Sequence, residues 1–203
     1  MRVSRTFVGG VTARRAGSAL LAVAAVVALG APAGTGAAAQ QAGPIAILPF
    51  VDAVGMRGEL ARFATLRLAQ HLAQGGYPVV PVADVERAIR EAGVRAPDLR
   101  TIAGASEVAR RAGARLFISG SLIRADVDPA RPPLTPDEIP EGPPAATVVL
   151  AIHLGSAVAP GLPIRTEVHG YDQGVLPLYR AAELAIADFV RRFPDLLRRL
   201  PTP

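Results

Sequence analysis

The apolar and polar positions of the chain fall into short blocks with two different periods. Residues 44–50, PIAILPF, form a continuous apolar run that is too short for a helix and bounded by prolines, so it predicts a buried strand. Over residues 58–74 the period changes. Leu60, Ala61, Ala64, Leu68 and Leu72 recur every three or four positions, with Glu59, Arg62 and Gln70 opposite. That spacing predicts an amphipathic helix stopped by Gly75-Gly76. His71 sits at the edge of the stripe, and Phe63 and Leu66 lie off it. Those two are either covered by a second element or form an apolar patch for a partner. Residues 77–82, YPVVPV, predict a second strand, at an edge or strand end because proline cannot donate to a ladder. Asp84 is placed to cap a short helix running to Ala92, with Val85, Ala88 and Ile89 inward and Gly93 as its stop.

After Pro97 a further helical stretch breaks at Gly104 and resumes through SEVARRAGA, and residues 115–127 predict a third strand. The stretch 128–144, DPARPPLTPDEIPEGPP, holds seven prolines and sustains no regular element. Residues 145–158 and 162–171 predict two strands joined in a hairpin around Ala159-Pro160-Gly161. A terminal helix over 178–192 carries the stripe Tyr179, Ala182, Ile186, Phe189 and Phe193, with Arg180, Glu183, Asp188 and Arg191 on the other side. The order β-α-β-α-α-β-β-β-α predicts one α/β domain of two or three layers around a mixed sheet of about five strands.

Residues 1–39 follow a different pattern. Arg2, Arg5, Arg14 and Arg15 precede the apolar segment 18–33, and small residues lead to Ala37 and Ala39 before Gln40. This is the order of a secretory signal peptide cleaved near Ala39, and an uncleaved anchor is the less favoured reading because the segment weakens and meets Pro32. The expected destination is the periplasm or the exterior, with residues 40–203 as the mature domain and any membrane association peripheral. The chain has no cysteine, which removes disulfides, thiolate metal sites, cysteine catalysis and a lipobox.

Charge changes the picture less than the pI suggests. All 22 basic residues are arginine. Four fall in the leader, which leaves 18 against 17 acidic groups, so the mature chain is near neutral and carries no footprint for nucleic acid.

Ser119-Gly120-Ser121 invites comparison with a nucleophile elbow, but that motif needs glycines two positions either side of the serine, between a strand and a helix. Here the strand continues through Leu122 and Ile123. Alternation puts Leu116, Ile118, Gly120 and Leu122 on one face, so Gly120 replaces a core side chain, either under a close helix backbone or at a bulge.

IAILPF, a helix, GGYPVVP and then VARRAGARLFISGSLIR together resemble the pattern of TolB amino-terminal domains and of the CsgG-like curli-secretion components. The resemblance spans about residues 44–193. It implies a non-enzymatic domain that works by protein–protein contact in the cell envelope, and it brings no catalytic residues. The chain departs from it in lacking a following β-propeller and a lipobox cysteine, and its segment 128–144 is too short for two membrane-crossing hairpin strands.

The candidate chemistry is sparse. If the hairpin turns near Pro160-Gly161, His153 and His169 fall opposite each other on the outer sheet face, with Glu167 beside them. These three are the only weak candidates for a metal site, or for a small hydrolase or metal-dependent enzyme. The acids near the proline-rich segment match no calcium loop. The leading expectation is an exported, non-enzymatic adaptor or accessory domain without a cofactor, binding an envelope protein through Phe63, Leu66 or the prolines Pro132, Pro133 and Pro136. A homo-oligomeric secretion-component subunit is the other alternative.

Overall fold

The computed structural model describes residues 43–55, 58–128, 142–159 and 161–200. The leader and the prolines Pro132, Pro133 and Pro136 lie outside the described residues. Five strands and four helices are numbered here in chain order: β1 (Ile45–Ile47), β2 (Val51–Asp52), α1 (Gly58–Gln74), α2 (Val82–Ala92), α3 (Ile102–Arg111), β3 (Leu116–Asp128), β4 (Ala145–Ser156), β5 (Ile164–Gln173) and α4 (Pro177–Arg199). A short 3-10 turn, Ala96–Arg100, precedes α3. The predicted class holds: this is an α/β domain with an open, mixed five-stranded sheet.

The sheet order is β1-β3-β4-β5, with β2 pairing farther along β3. β1 and β2 run parallel to β3, while β3, β4 and β5 form an antiparallel meander. The predicted strand 44–50 is therefore shorter, and a second piece follows it. The interruption has a local cause. Pro49 has no N–H to give, and the Phe50 N–H goes instead to the Thr65 hydroxyl on α1 at 2.9 Å. That hydroxyl donates to the Ala61 carbonyl at 3.0 Å, so a buried threonine bolts the first helix to the gap in the strand.

α1 and α4 cover one face of the sheet. Ile45, Ile47, Ile118, Leu122, Leu150 and Ile152 lie beneath them, all at most 1% exposed. On the opposite face α2 and α3 cover only the β1 end, where Leu48, Val85, Val108 and Phe117 make a second, smaller core. The domain is thus three-layered at its β1 side and two-layered at its β5 side. The outer face of β5 is left to solvent, which is why its exposed polar positions alternate, whereas on β4 the outer-face Val149 and Ala151 are also buried.

Four local expectations are corrected. Residues 77–82 do not form a strand: Pro78 and Pro81 remove two donors, only Val79 bridges to Ile45, and Val82 already begins α2. Asp84 is not the cap of α2, since Pro81 holds that position and Asp84 pairs with Arg87 at 2.6 Å within the first turn. The helical stretch after Pro97 breaks at Thr101 rather than at Gly104. The Thr101 hydroxyl accepts from the Gly104 N–H at 3.1 Å and caps α3. Finally, α4 does not stop at Arg192 but continues through Pro194 to Arg199, and its buried stripe includes Ala181, Ala185 and Leu196, while Tyr179 is 36% exposed.

Three glycines of the sheet mark close approaches. A side chain at Gly120 would lie 2.5 Å from the Phe50 ring, so the room is made for an aromatic side chain and not for a helix. Gly155 likewise makes room for Phe117. The helix backbone expected over Gly120 passes instead over Gly170, where an added Cβ would sit 1.7 Å from the Ala181 carbonyl oxygen.

Candidate functional site

The candidate chemistry read from the sequence lies on the outer sheet face. The β4–β5 register pairs His153 with Arg165 and His169 with Val149. The two histidines share the outer face but are not cross-strand partners, which corrects the expected pairing. The turn is centred closer to Ala159 than to Pro160-Gly161, and a shift of this kind moves every cross-strand neighbour. Four residues of strand separate the two rows, about 13 Å. Among the described residues, no group of three or more histidines or carboxylates is placed to hold a metal ion.

His153 is half-buried and lies opposite Ser119 of β3. Burial lowers its pKa, and the positive charges of Arg165 and Arg100 lower it further. The imidazole is therefore held neutral. Glu167 is turned to Arg165, 2.9 Å away, and Arg124 pairs with Asp126 along β3. Ser119 and Ser121 are 6% and 8% exposed, on the face opposite Gly120. Ile123, expected to share their face, lies in a bulge between Leu122 and Arg124, beyond which the alternation restarts out of phase.

The second surface lies along α1 and α4. Phe63 meets Tyr179 edge to face at 5.1 Å, and the Arg67 guanidinium lies 5.8 Å from the Phe63 ring centroid. One turn on, Arg67 forks both oxygens of Glu183 at 2.7 and 2.9 Å, and His71 Nε2 reaches Glu183 at 2.6 Å. Phe63 is thus covered from one side, whereas Leu66 remains 44% exposed. Just before the start of α4, the turn residues Leu176 and Val175 are 63% and 95% exposed. Leu66, Phe63, Tyr179, Leu176 and Val175 make a stepwise apolar stripe across the starts of two parallel helices. Phe63 and Leu66 were legible as off-stripe positions. Val175 and Leu176 carry no periodic signal, because they belong to a turn.

Glu183 is the electrostatic hinge of this pair. Burial alone would raise its carboxyl, but the hydrogen bonds and charges of Arg67 and His71 outweigh that and hold its pKa below the ordinary value. A carboxyl depressed in the folded state contributes stability above its unfolded pKa and loses it as pH falls through the folded value. Unfolding midpoints of the wild type and Glu183→Gln are therefore expected to differ at about pH 7 and to draw together in acid, as the folded carboxyl takes up its proton. A gap of the same size in acid would mean that the ion pairs contribute nothing.

A third feature is a groove of about 600 Å³ between α3 and the turn after β4. Ile102, Ser106, Glu107 and Arg110 line one side, and Ser156 and Val158 the other. Arg111 and Arg110 hold the Glu107 carboxyl below its usual pKa. A fourth is the outer edge of β5, which no strand pairs among the described residues. No helix among the described residues is long and apolar enough to cross a membrane.

No protein-family model matches the chain, and no curated protein matches it significantly. Among solved structures, lipoprotein GNA1162 from Neisseria meningitidis is similar, with a TM-score of 0.52 at 14% identity, covering 75% of this chain and 98% of that one. The LpoB C-terminal domain from Salmonella enterica is similar at a TM-score of 0.40 and 18% identity, covering 66% of this chain and 84% of that one. PelC from Paraburkholderia phytofirmans, solved as a dodecamer, is similar at 0.42 and 16%, covering 74% and 85%. At these identities the likeness is one of fold. None of the three is named as a TolB or CsgG protein.

Proposed function

We propose that the chain is an exported, non-enzymatic domain of the cell envelope that binds another protein through the apolar stripe at the starts of α1 and α4. The observation that carries this reading is the exposure of Leu66, Tyr179, Leu176 and Val175, each within about one turn of the Phe63–Tyr179 contact. An exposed apolar run of this kind, rimmed by Arg67 and Arg180, is the usual make-up of a protein contact. The leader over residues 1–39 supports export, and the fold shared with a protein named as a lipoprotein is consistent with an envelope setting. The sequence holds no cysteine to which a lipid could be attached. The order of motifs over residues 44–193 supports the finer TolB-like or CsgG-like reading.

The chemistry of the sheet face favours the non-enzymatic reading over a hydrolase. A serine nucleophile needs a base that gains a proton, and a carboxylate beside the imidazole stabilises that charge. His153 has arginines there, which oppose it. No hydrogen bond joins Ser119 to His153 among the described residues.

A photo-crosslinking amino acid at Leu66, with a second at the exposed Arg87 of α2 as control, tests the proposal in exporting cells. The expected result is one discrete heavier adduct at position 66, absent at position 87 and lost with Leu176→Asp. Equal labelling at both positions, or none at either, removes the stripe as a partner site. An adduct of twice the chain mass would replace a foreign partner with a second copy.

A further inference from the structure

We infer that the open edge of β5 is a self-pairing surface, on which a second copy of this chain adds its own β5 antiparallel about a two-fold axis at Val168. The inference stands apart from the envelope reading and uses a different face of the molecule.

The edge is regular. β5 pairs with β4 without a shift from Ala145↔Gln173 to Leu154↔Ile164, so its outer side presents a straight row of backbone donors and acceptors. It contains no proline and no bulge, the usual devices that spoil an edge. Its one protection is a row of exposed polar and charged side chains on the outer face, Arg165, Glu167, His169 and Tyr171 in alternation. That row is complementary to itself in one register. Centring the two-fold on Thr166 pairs only residues 164–168. Centring it on Glu167 sets that carboxylate against its own copy. Centring it on His169 sets the two imidazoles face to face and leaves Arg165 opposite Gln173. With the axis at Val168, residues 164–172 all pair, Glu167 lies opposite His169 of the other copy, and Arg165 lies opposite Tyr171. Both contacts occur twice, and each belongs to a class that stabilises cross-strand pairs. Only the outermost pair, Ile164 against Asp172, is mismatched.

The layer above agrees. Ala181 sits over Gly170, and α4 runs back along β5. An added Cβ at Gly170 would lie between the Ala181 carbonyl oxygen and the Ala185 nitrogen, so Leu184 stands level with Gly170, one inner-face row from Val168. It lies on the flank of α4 turned away from Tyr179 and Glu183, which face α1, and it is 48% exposed. The two-fold that joins the strands sets both Leu184 side chains on the flank where the two copies meet, one row to either side of the axis. Such an interface is isologous and closes at two subunits.

The cysteine-free chain gives the test unusual clarity. The protein, expressed from its full sequence and purified after export, is compared with E167C, H169C and E167C/H169C under mild oxidation. In the inferred register only the double variant places two thiols opposite each other across the axis. It is expected to run at twice the chain mass without reductant, while neither single variant does. Light scattering on the unmodified protein is expected to give twice the monomer mass, and His169→Glu, which sets like charges in both pairs, to weaken self-association about tenfold. Circular dichroism of His169→Glu confirms that this exposed residue leaves the fold intact. A mass of one chain at micromolar concentration, a larger assembly in which the double variant does not crosslink, or single variants that crosslink as well as the double would each overturn the inference.

Discussion

Gly170→Ala is expected to destabilise the domain by about 3 kcal/mol or more, lowering the thermal midpoint by roughly 10 °C. The new methyl group would lie 1.7 Å from the Ala181 carbonyl oxygen, 2.6 Å from its carbonyl carbon and 2.9 Å from the Ala185 nitrogen. All three are backbone atoms in the middle of a helical turn. To make room, α4 must lift from β5, and Ile186, Phe189 and Phe193, each 0% exposed, travel with it. The same change at Gly120 or Gly155 meets the ring of Phe50 or Phe117 instead, and a ring edge yields more cheaply than a helix backbone. Urea unfolding of the three alanine variants should therefore rank Gly170 as the costliest. A Gly170→Ala variant within about 1 kcal/mol of the wild type would mean that α4 sits farther from the sheet than described here.

Phe193→Ala should cost about 3–5 kcal/mol. The ring is wholly buried under the sheet's larger core, with Tyr77 edge-on at 4.9 Å and Phe189 tilted at 5.7 Å. Removing it leaves a cavity and deprives Tyr77 of its stacking partner. Tyr77 already carries a buried hydroxyl without a partner among the described residues, and its burial raises the phenol pKa. Phe193→Leu should recover roughly half of the loss, because it restores most of the volume but not the edge-to-face geometry. Denaturant titration decides the point, and a loss below about 1.5 kcal/mol for the alanine variant would show that the last turns of α4 contribute little to the core.

How far the fold was legible depended on which physical signal each residue carries. The stripe of α1 follows helix period alone, and its bounds come out as read. Val148, Leu150, Ile152 and Leu154 all face the larger core as strand alternation places them, and all are at most 1% exposed. Where two signals compete, local pattern misleads. YPVVPV has strand composition, but its prolines deny it a ladder, and Val82 is claimed by the next helix. Pro194 reads as a stop, yet Phe193 and Leu196 on either side are buried, and their packing carries the helix through it. Register lies beyond what composition encodes: a small shift of the hairpin centre moves His169 from opposite His153 to opposite Val149. Thr65 gave no signal, because its role depends on a gap in a strand fifteen residues away.

The place of β3 in the sheet has a consequence for the order in which the chain can acquire structure. β1 finds its partner only at Leu116–Ile118, some seventy residues downstream, and β2 pairs still farther along the same strand. Everything before residue 116, including α1 with its apolar stripe, lacks a sheet to dock on until β3 exists. β3, β4, β5 and α4, by contrast, are consecutive neighbours and close the shorter loops. The carboxyl-terminal half is thus the natural nucleus, and the amino-terminal half condenses onto it. A chain lengthening from its amino terminus therefore offers α1 no completed sheet until residue 116 and its neighbours have been added.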